Sequence, residues 1–340
     1  MKSKRSIAAR SVFCPKHLYT FIFFVGFAGF SQSDTTYLTN YTDKIILKLN
    51  VDTQNNSIYY RNREDNSKLN LATNNQYHLF LSIDYEFIGA SIGVGPKFLG
   101  HDLKSDLKGE SSFTDYRFRM FLGKWVQSLQ YSKVSGYYVE NTSDFIPGWV
   151  EGEDPYLQFN GLSNSFYGMS TAYVFNPKFS YRNIVYQTEW QRKSSGSLIT
   201  TLKYDYSILE LDENDINEKE KYFTVTLSPA YYYTHVIREN WFISANISPS
   251  FGYRFTKYES NIESNEDEKT DYSIKNINGG LNLGYSSERV IFGLNMTLSA
   301  DWYNSDSSSA VENDQFYGVI YVGYRFDPPK AIDKIFHPNR

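Results

Sequence analysis

One cysteine, Cys14, in 340 residues excludes an internal disulfide framework. It also precedes the apolar core of the N-terminal segment, so it is no lipid-acceptor cysteine at a cleavage site. Histidine is nearly as scarce. Beyond His17 there are only His78, His101, His235 and His337, and no H-E-x-x-H pair occurs. Positive charge is not in surplus: a net charge of −4 argues against nucleic acid as a partner. Long apolar runs are missing as well. After residue 30 no stretch supplies the ~20 continuous apolar residues of a spanning helix. With a mean hydropathy of −0.49 the bulk numbers read as those of a soluble protein. A membrane barrel escapes that test, because only every second residue of its strands faces lipid.

What the chain does hold is aromatic residues and alternation. Tyr, Phe and Trp number 30, 25 and 5, or 18% of the chain, as expected where aromatic girdles mark two membrane interfaces. From Trp241 to Phe255 the odd positions read Trp241, Ile243, Ala245, Ile247, Pro249, Phe251, Tyr253 and Phe255. The even positions from Ser244 carry Ser, Asn, Ser, Ser, Gly and Arg. This is the strand period of two, carried on for longer than the roughly five or six residues common in soluble sheets. Tilted strands that cross a bilayer need about nine to eleven.

The same pattern gives twelve strands: Lys44–Val51, Gln76–Phe87, Ala90–Phe98, Phe113–Leu122, Trp125–Val139, Asn164–Phe175, Leu198–Ile208, Tyr222–Tyr233, Trp241–Phe255, Tyr272–Tyr285, Arg289–Trp302 and Gln315–Phe326. Links alternate between short ones, such as Gly123-Lys124 and Ser286–Glu288, and long polar ones, such as Leu99–Ser112, Glu140–Ser163, Leu209–Lys221 and Thr256–Asp271. That asymmetry predicts an all-β fold: a transmembrane antiparallel barrel with short periplasmic turns and long external loops. Asn176–Ser197 breaks the rule, being long where a short turn is due. It reads as a periplasmic excursion, a segment folded into the lumen, or an extra strand pair.

Residues 1–31 have the form of a secretory signal, with Lys2, Lys4, Arg5, Arg10 and Lys16 ahead of the apolar stretch Leu18–Phe30. An N-terminal membrane anchor is the other reading. The expected organisation is a signal over 1–31, one barrel over 32–328 and a periplasmic tail over 329–340. The ending Tyr324-Arg325-Phe326 matches the aromatic terminus read by barrel-assembly machinery, a partner during biogenesis alongside outer-membrane lipid.

Charges predicted to face the lumen are Asp84, Glu86, Lys97, Asp115, Arg117, Arg119, Lys203, Asp205 and Arg254, with Arg289, Asp301 and Arg325. On the lipid face each would cost roughly 2–4 kcal/mol at mid-bilayer. They form either a self-satisfied network or a lining that selects a small polar solute. Two acidic stretches, Leu209–Lys221 and Thr256–Asp271, read as solvated loop tips or as oxygen ligands for divalent cations, without calcium-loop spacing. Gly89, Gly93 and Gly95 resemble a phosphate loop only superficially and read as strand glycines. No metal, cofactor or catalytic residue is assigned. A lipid-cleaving barrel enzyme would need His78 or His235 beside a serine at the membrane rim.

Asp43-Lys44, Gly95-Pro96-Lys97-Phe98-Leu99, Gly136-Tyr137-Tyr138, Phe179-Ser180-Tyr181-Arg182, Gln187 and Lys193-Ser194-Ser195-Gly196-Ser197 carry a resemblance. With these residues the chain resembles an uncharacterised family, domain of unknown function 4421, from outer membranes of Bacteroidetes-type bacteria. The resemblance spans about residues 34–328 and implies a barrel in that membrane, with no activity attached. The expectation for function is a structural barrel or a narrow, porin-like passive pore for an unidentified solute. The alternatives are a lipid-modifying enzyme of the outer membrane or a soluble periplasmic or surface β-protein.

Overall fold

The computed structural model describes residues 36–338, apart from 55, 63–66, 76, 97–104, 214, 262–268, 305–308 and 311–314. The expected signal, Lys97 and His101 therefore lie outside the described residues. Twelve strands, numbered β1–β12, form the wall: Ile45–Asp52, His78–Tyr85, Ile88–Val94, Ser112–Leu122, Trp125–Val139, Gln158–Val174, Ser195–Glu213, Ile216–Arg238, Trp241–Ser260, Lys269–Ser286, Val290–Asn304 and Gln315–Phe326. Each pairs antiparallel with the next, and β12 pairs back onto β1 from Phe326↔Ile45 to Val319↔Asp52. The ring is closed, and among the described residues no second layer of sheet covers its outer face.

Side-chain alternation decides which residues face out. On β9, Ile243, Ile247, Phe251 and Phe255 are exposed while Phe242, Ser244 and Ser250 are buried. The outer surface is banded. Cross-strand neighbours Tyr116, Tyr131, Tyr167, Tyr206, Phe223 and Phe255 make an aromatic row over six adjacent strands toward the long-loop end. Trp125 beside Tyr173, and Trp241 against Tyr285 and Phe292, mark the short-turn end. Between them lie exposed Leu129, Met169, Leu227, Ile247, Leu281 and Met296. An apolar belt between two aromatic girdles is the surface of a membrane-spanning barrel. Inside, Gly284 and Gly293 leave room for the rings of Phe242 and Tyr321, since a Cβ at either would collide with them.

Two features depart from the sequence expectation at the strand ends. Leu209–Lys221 is not a long loop. Strands β7 and β8 continue to Glu213 and resume at Ile216, so most of this acidic stretch is a tall hairpin. Its charges sit opposite partners: Glu210 pairs with Lys219 at 2.8 Å, and Lys221 with Glu259 at 2.6 Å. Glu86 does not line a strand. It occupies the β2–β3 turn with φ +52° and pairs with His337 at 3.3 Å. Arg289 also lies at the rim rather than in the lumen. It donates to Asp327 at 3.0 Å, and Lys44 reaches the other carboxylate oxygen at 3.0 Å. These two cations hold the Asp327 carboxyl below the usual carboxylate range, and the clasp joins the chain before β1 to the chain after β12. The expected tail contains a short helix, α2 (Lys330–Phe336), whose Phe336 packs edge-on against Tyr85.

Candidate functional site

The Asn176–Ser197 segment closes the short-turn end of the lumen. Asn176 anchors its root, donating to Ser195 Oγ at 3.2 Å and to the Gly196 carbonyl at 2.7 Å. The chain then forms helix α1 (Tyr181–Val185), capped by Ser180, whose Oγ accepts the Asn183 N–H at 2.9 Å and donates to Glu189 at 2.6 Å. Gln187, at φ +57°, turns the chain back. Glu189–Gln191 then pairs with Leu38–Asn40, so residues before β1 belong to the same plug. Fully buried Gln191 stitches the fold, accepting the Ser180 N–H and donating to the carbonyls of Lys178 and Lys193.

Side chains from around the barrel grip this plug. Lys48 of β1 donates to Gln187 Oε1 at 2.7 Å. Arg325 of β12 donates to the Gln187 carbonyl, to Ser286 Oγ at 2.9 Å and to the Ser287 carbonyl, while Tyr41 covers its guanidinium at 4.3 Å. In return Arg182 of the plug donates to the Glu86 carbonyl at 3.1 Å and lies 4.2 Å over the Phe121 ring. Phe179, Ile184 and Tyr186 fill the space against Phe121, Val126, Ala172, Val174 and Ile199. Trp190 meets Phe242 at 5.6 Å and Tyr181 meets Tyr232 at 5.4 Å.

The long-loop end is filled by different chemistry. A hairpin of Ile58–Asn62 and Lys68–Ala72 joins the top of β5 through Leu71↔Val139. Leu71 packs with Phe80, Phe113, Val134, Leu162 and Leu209, and Tyr60 and Leu69 lie against that cluster. Single strands therefore pass through three layers. Along β7 the lumen meets Ile199 in the plug, then Lys203 and Asp205, then Leu209 under the lid. Along β4 it meets Phe121, then Arg119, Arg117 and Asp115, then Phe113.

The middle layer holds most of the lumen charges the sequence singled out. Asp115 receives Arg117 at 2.7 and 3.1 Å and Gln130 at 2.7 Å, and Arg117 lies 4.6 Å over Phe80. Asp84 pairs with Arg119 at 3.4 Å, and Arg119 stacks 4.4 Å over Tyr186 of the plug. Lys203, Asp205 and Arg254 line a separate chamber. Of the family-motif residues, Ser180, Tyr181, Arg182 and Gln187 converge in the plug. Gly95 lies just past β3, its N–H donating to the Phe113 carbonyl, and Pro96 follows it. Lys193 is exposed beside the Tyr37 ring, and Gly196 opens β7 against Tyr231 and Tyr232.

Lys48, Tyr186 and Gln191 were not singled out by the sequence as site residues. The available signal was a lysine on the lumen face of β1, between Ile46 and Asn50. Nothing local marked Tyr186 or Gln191.

The two relevant histidines differ. His78 is buried, 3.6 Å from Asp52 and stacked at 3.8 Å on Phe113, with Asn56 on its other nitrogen. His235 is exposed at the short-turn rim, its Nδ1 3.3 Å from Ser194 Oγ, which also accepts the Val236 N–H at 3.0 Å. Ser91 sits centrally in Gly89-Ala90-Ser91-Ile92-Gly93, a G-x-S-x-G spacing. It lies within β3, without the strand-to-helix turn that makes such a serine a nucleophile.

Solved structures similar to this chain are outer-membrane proteins. The outer membrane protease OmpT of Escherichia coli is 7% identical, with TM-score 0.36, covering 86% of this chain and 100% of that one. The COG4313 outer membrane channel of Pseudomonas putida F1 is 10% identical, with TM-score 0.39, covering 83% and 95%. LpxR of Salmonella typhimurium is 10% identical, with TM-score 0.34, covering 83% and 100%. Such likenesses are too distant to speak to activity. No curated protein matches the chain. The family model described as Domain of unknown function (DUF4421) matches residues 32–326, and the chain belongs to that family.

Proposed function

We propose that this protein is exported by its N-terminal signal to the outer membrane of a Bacteroidetes-type bacterium. There it forms a narrow solute path held shut at rest by its own plug. The observation that carries this reading is the layered lumen: a polar middle between an apolar lid and a latched plug. A barrel whose role was only structural could fill its interior throughout, as small barrels do with side chains. Polar groups in the middle layer are better suited to a passing solute than to packing.

Planar-bilayer recording tests it. The full chain is expected to stay closed with rare openings. A variant in which residues 179–193 are replaced by a short Gly-Ser linker is expected to conduct in discrete steps. The deletion stops at 193 because Ser195 already belongs to β7. Absence of current from both proteins would remove the pore and leave a structural barrel.

A second reading rests on the Ser194–His235 contact, a hydroxyl and an imidazole near hydrogen-bond reach at the rim, where ester-linked lipid is at hand. Labelling of Ser194 by a fluorophosphonate, lost in His235→Ala, would support an acyl-transfer enzyme. An unlabelled serine would reduce the pair to a strand-end hydrogen bond.

A further inference from the structure

The aromatic row on the outer wall changes character along its length. On four adjacent strands it is tyrosine: Tyr116 of β4, Tyr131 of β5, Tyr167 of β6 and Tyr206 of β7, each the direct cross-strand neighbour of the next. Their rings follow one another with centroids 6.3, 5.0 and 6.3 Å apart. The positions that continue the line are Ile92 on β3 and Phe223 on β8, neither with a hydroxyl. Amphipathic rings anywhere around the cylinder serve as an interfacial girdle. Hydroxyls gathered on neighbouring strands make a local surface.

On the short-turn side of this stripe the wall sinks into a concavity of about 620 Å³, lined by Ala90, Leu129 and Met169 together with the tyrosine rings. That is within the roughly 300–1,000 Å³ of a small-molecule site. On the long-loop side, the next outward position of β5 after Tyr131 is Lys133, which is exposed. Its direct neighbours on the same face are Thr114 of β4 and Ser165 of β6. Among the described residues Lys133 has no ion-pair partner, and the four tyrosine hydroxyls have no hydrogen-bond partner. Ile208 of β7 lies beside Ser165, and Glu210 beyond it is already held by Lys219 at 2.8 Å. The sequence of surfaces toward the long loops is therefore apolar hollow, row of hydroxyls, then one unneutralised cation.

We propose that this stripe binds one phosphate-bearing lipid of the leaflet at the long-loop end. The assignment follows from place and order. The outer wall of a spanning barrel meets lipid or another protein, and an acyl chain, an oxygen-rich linkage and an anionic phosphate are the complement of these three surfaces in turn. The chain fills the hollow over Leu129 and Met169. The tyrosine hydroxyls donate to ester or sugar oxygens. Lys133 meets the phosphate as a point charge, with the Thr114 and Ser165 hydroxyls as further donors. A second copy of the chain fits less well. The two-fold axis of such a pair runs along the bilayer normal, so the two Lys133 side chains would meet at one height without a counter-ion.

The inference rests on the membrane placement and not on the pore. Native mass spectrometry of the detergent-purified full-length protein, titrated with dioleoyl phosphatidylglycerol, dioleoyl phosphatidylcholine or dioleoylglycerol, tests it. One phosphatidylglycerol is expected to bind saturably, at least about tenfold tighter than either of the others. Lys133→Gln is expected to erase the preference over phosphatidylcholine. Tyr131→Phe with Tyr167→Phe keeps the rings, removes two hydroxyls and is expected to weaken phosphatidylglycerol by at least about threefold. Lys275→Gln, at an exposed cation of β10 away from the stripe, is expected to change nothing. Equal binding of the three lipids, or equal losses in Lys133→Gln and Lys275→Gln, overturns the proposal. So does a dimer that disperses in the double tyrosine variant, which would give the stripe to a second copy. Unselective binding by a protein that still requires detergent for extraction would leave the membrane placement standing and remove only the lipid site.

Discussion

Ile247→Arg is expected to destabilise the barrel by about 2–4 kcal/mol, while Phe255→Arg on the same strand costs about 0–1 kcal/mol for the charge itself. Both side chains are exposed, and both point outward from β9. Only depth separates them. Ile247 lies midway between Trp241 at the short-turn end and Phe255 in the upper aromatic row. An arginine at Ile247 must stay charged in hydrocarbon or thin the bilayer around it, whereas one at the girdle reaches headgroups and water. Denaturant unfolding in lipid vesicles measures the difference, and loss of heat-modifiable migration on gels gives a second readout. A surface that faced water would tolerate both substitutions within about 0.5 kcal/mol. Equal and small effects would therefore remove the membrane placement, and with it every reading of the lumen as a transmembrane path.

The second large effect is expected at Arg325, a cation wholly buried where β12 meets the plug. Its recorded partners are two carbonyls, one hydroxyl and the Tyr41 ring, with no carboxylate among them. Hydrogen bonds from a charged donor contribute roughly 1.5–3 kcal/mol each. Arg325→Met keeps the volume and removes all three bonds, leaving the Gln187 carbonyl unpaired. A net loss of even about 2 kcal/mol multiplies the undocked population roughly 30-fold. Tryptic cleavage in the plug tracks that population when opening is fast, so Lys178, Arg182, Arg192 and Lys193 should be cut about that much faster. Lys48→Met removes the bond to Gln187 from the opposite side of the β1–β12 seam and should act in the same direction. Its strand is distant in sequence from Phe326, the assembly signal the sequence suggests, which separates a latch effect from faulty assembly. Wild-type resistance in both variants would mean that Phe179, Ile184 and Tyr186 hold the plug by apolar contact alone.

The twelve strands were legible because the period of two is a local property. Trp125–Val139 and Gln315–Phe326 have the ends that alternation assigns them. Where reading failed, the pattern was intact but its meaning was non-local. Leu209 and Leu211 continue the alternation into the acidic stretch, yet charge density suggested a loop. That Lys219 of β8 neutralises Glu210 of β7, and that Lys221 meets Glu259 of β9, is visible only once the strands are paired. Glu86 satisfied the lumen parity of β2, but the chain turns there, and a turn carries parity no further.

Sequence by itself determined the closed ring, its strand number and which side chains meet lipid, because each follows from alternation and from the order of short and long links. It also flagged 176–197 as anomalous without saying why. Tertiary structure alone decided that this segment enters the lumen, that Lys48 and Arg325 hold it, and that Asp115, Arg117, Lys203 and Asp205 lie between plug and lid. The Lys48–Gln187 bond spans 139 residues and the Arg325–Gln187 bond 138. No periodicity or spacing reports contacts at that range, because they are made by closing the cylinder and not by any stretch of chain within it.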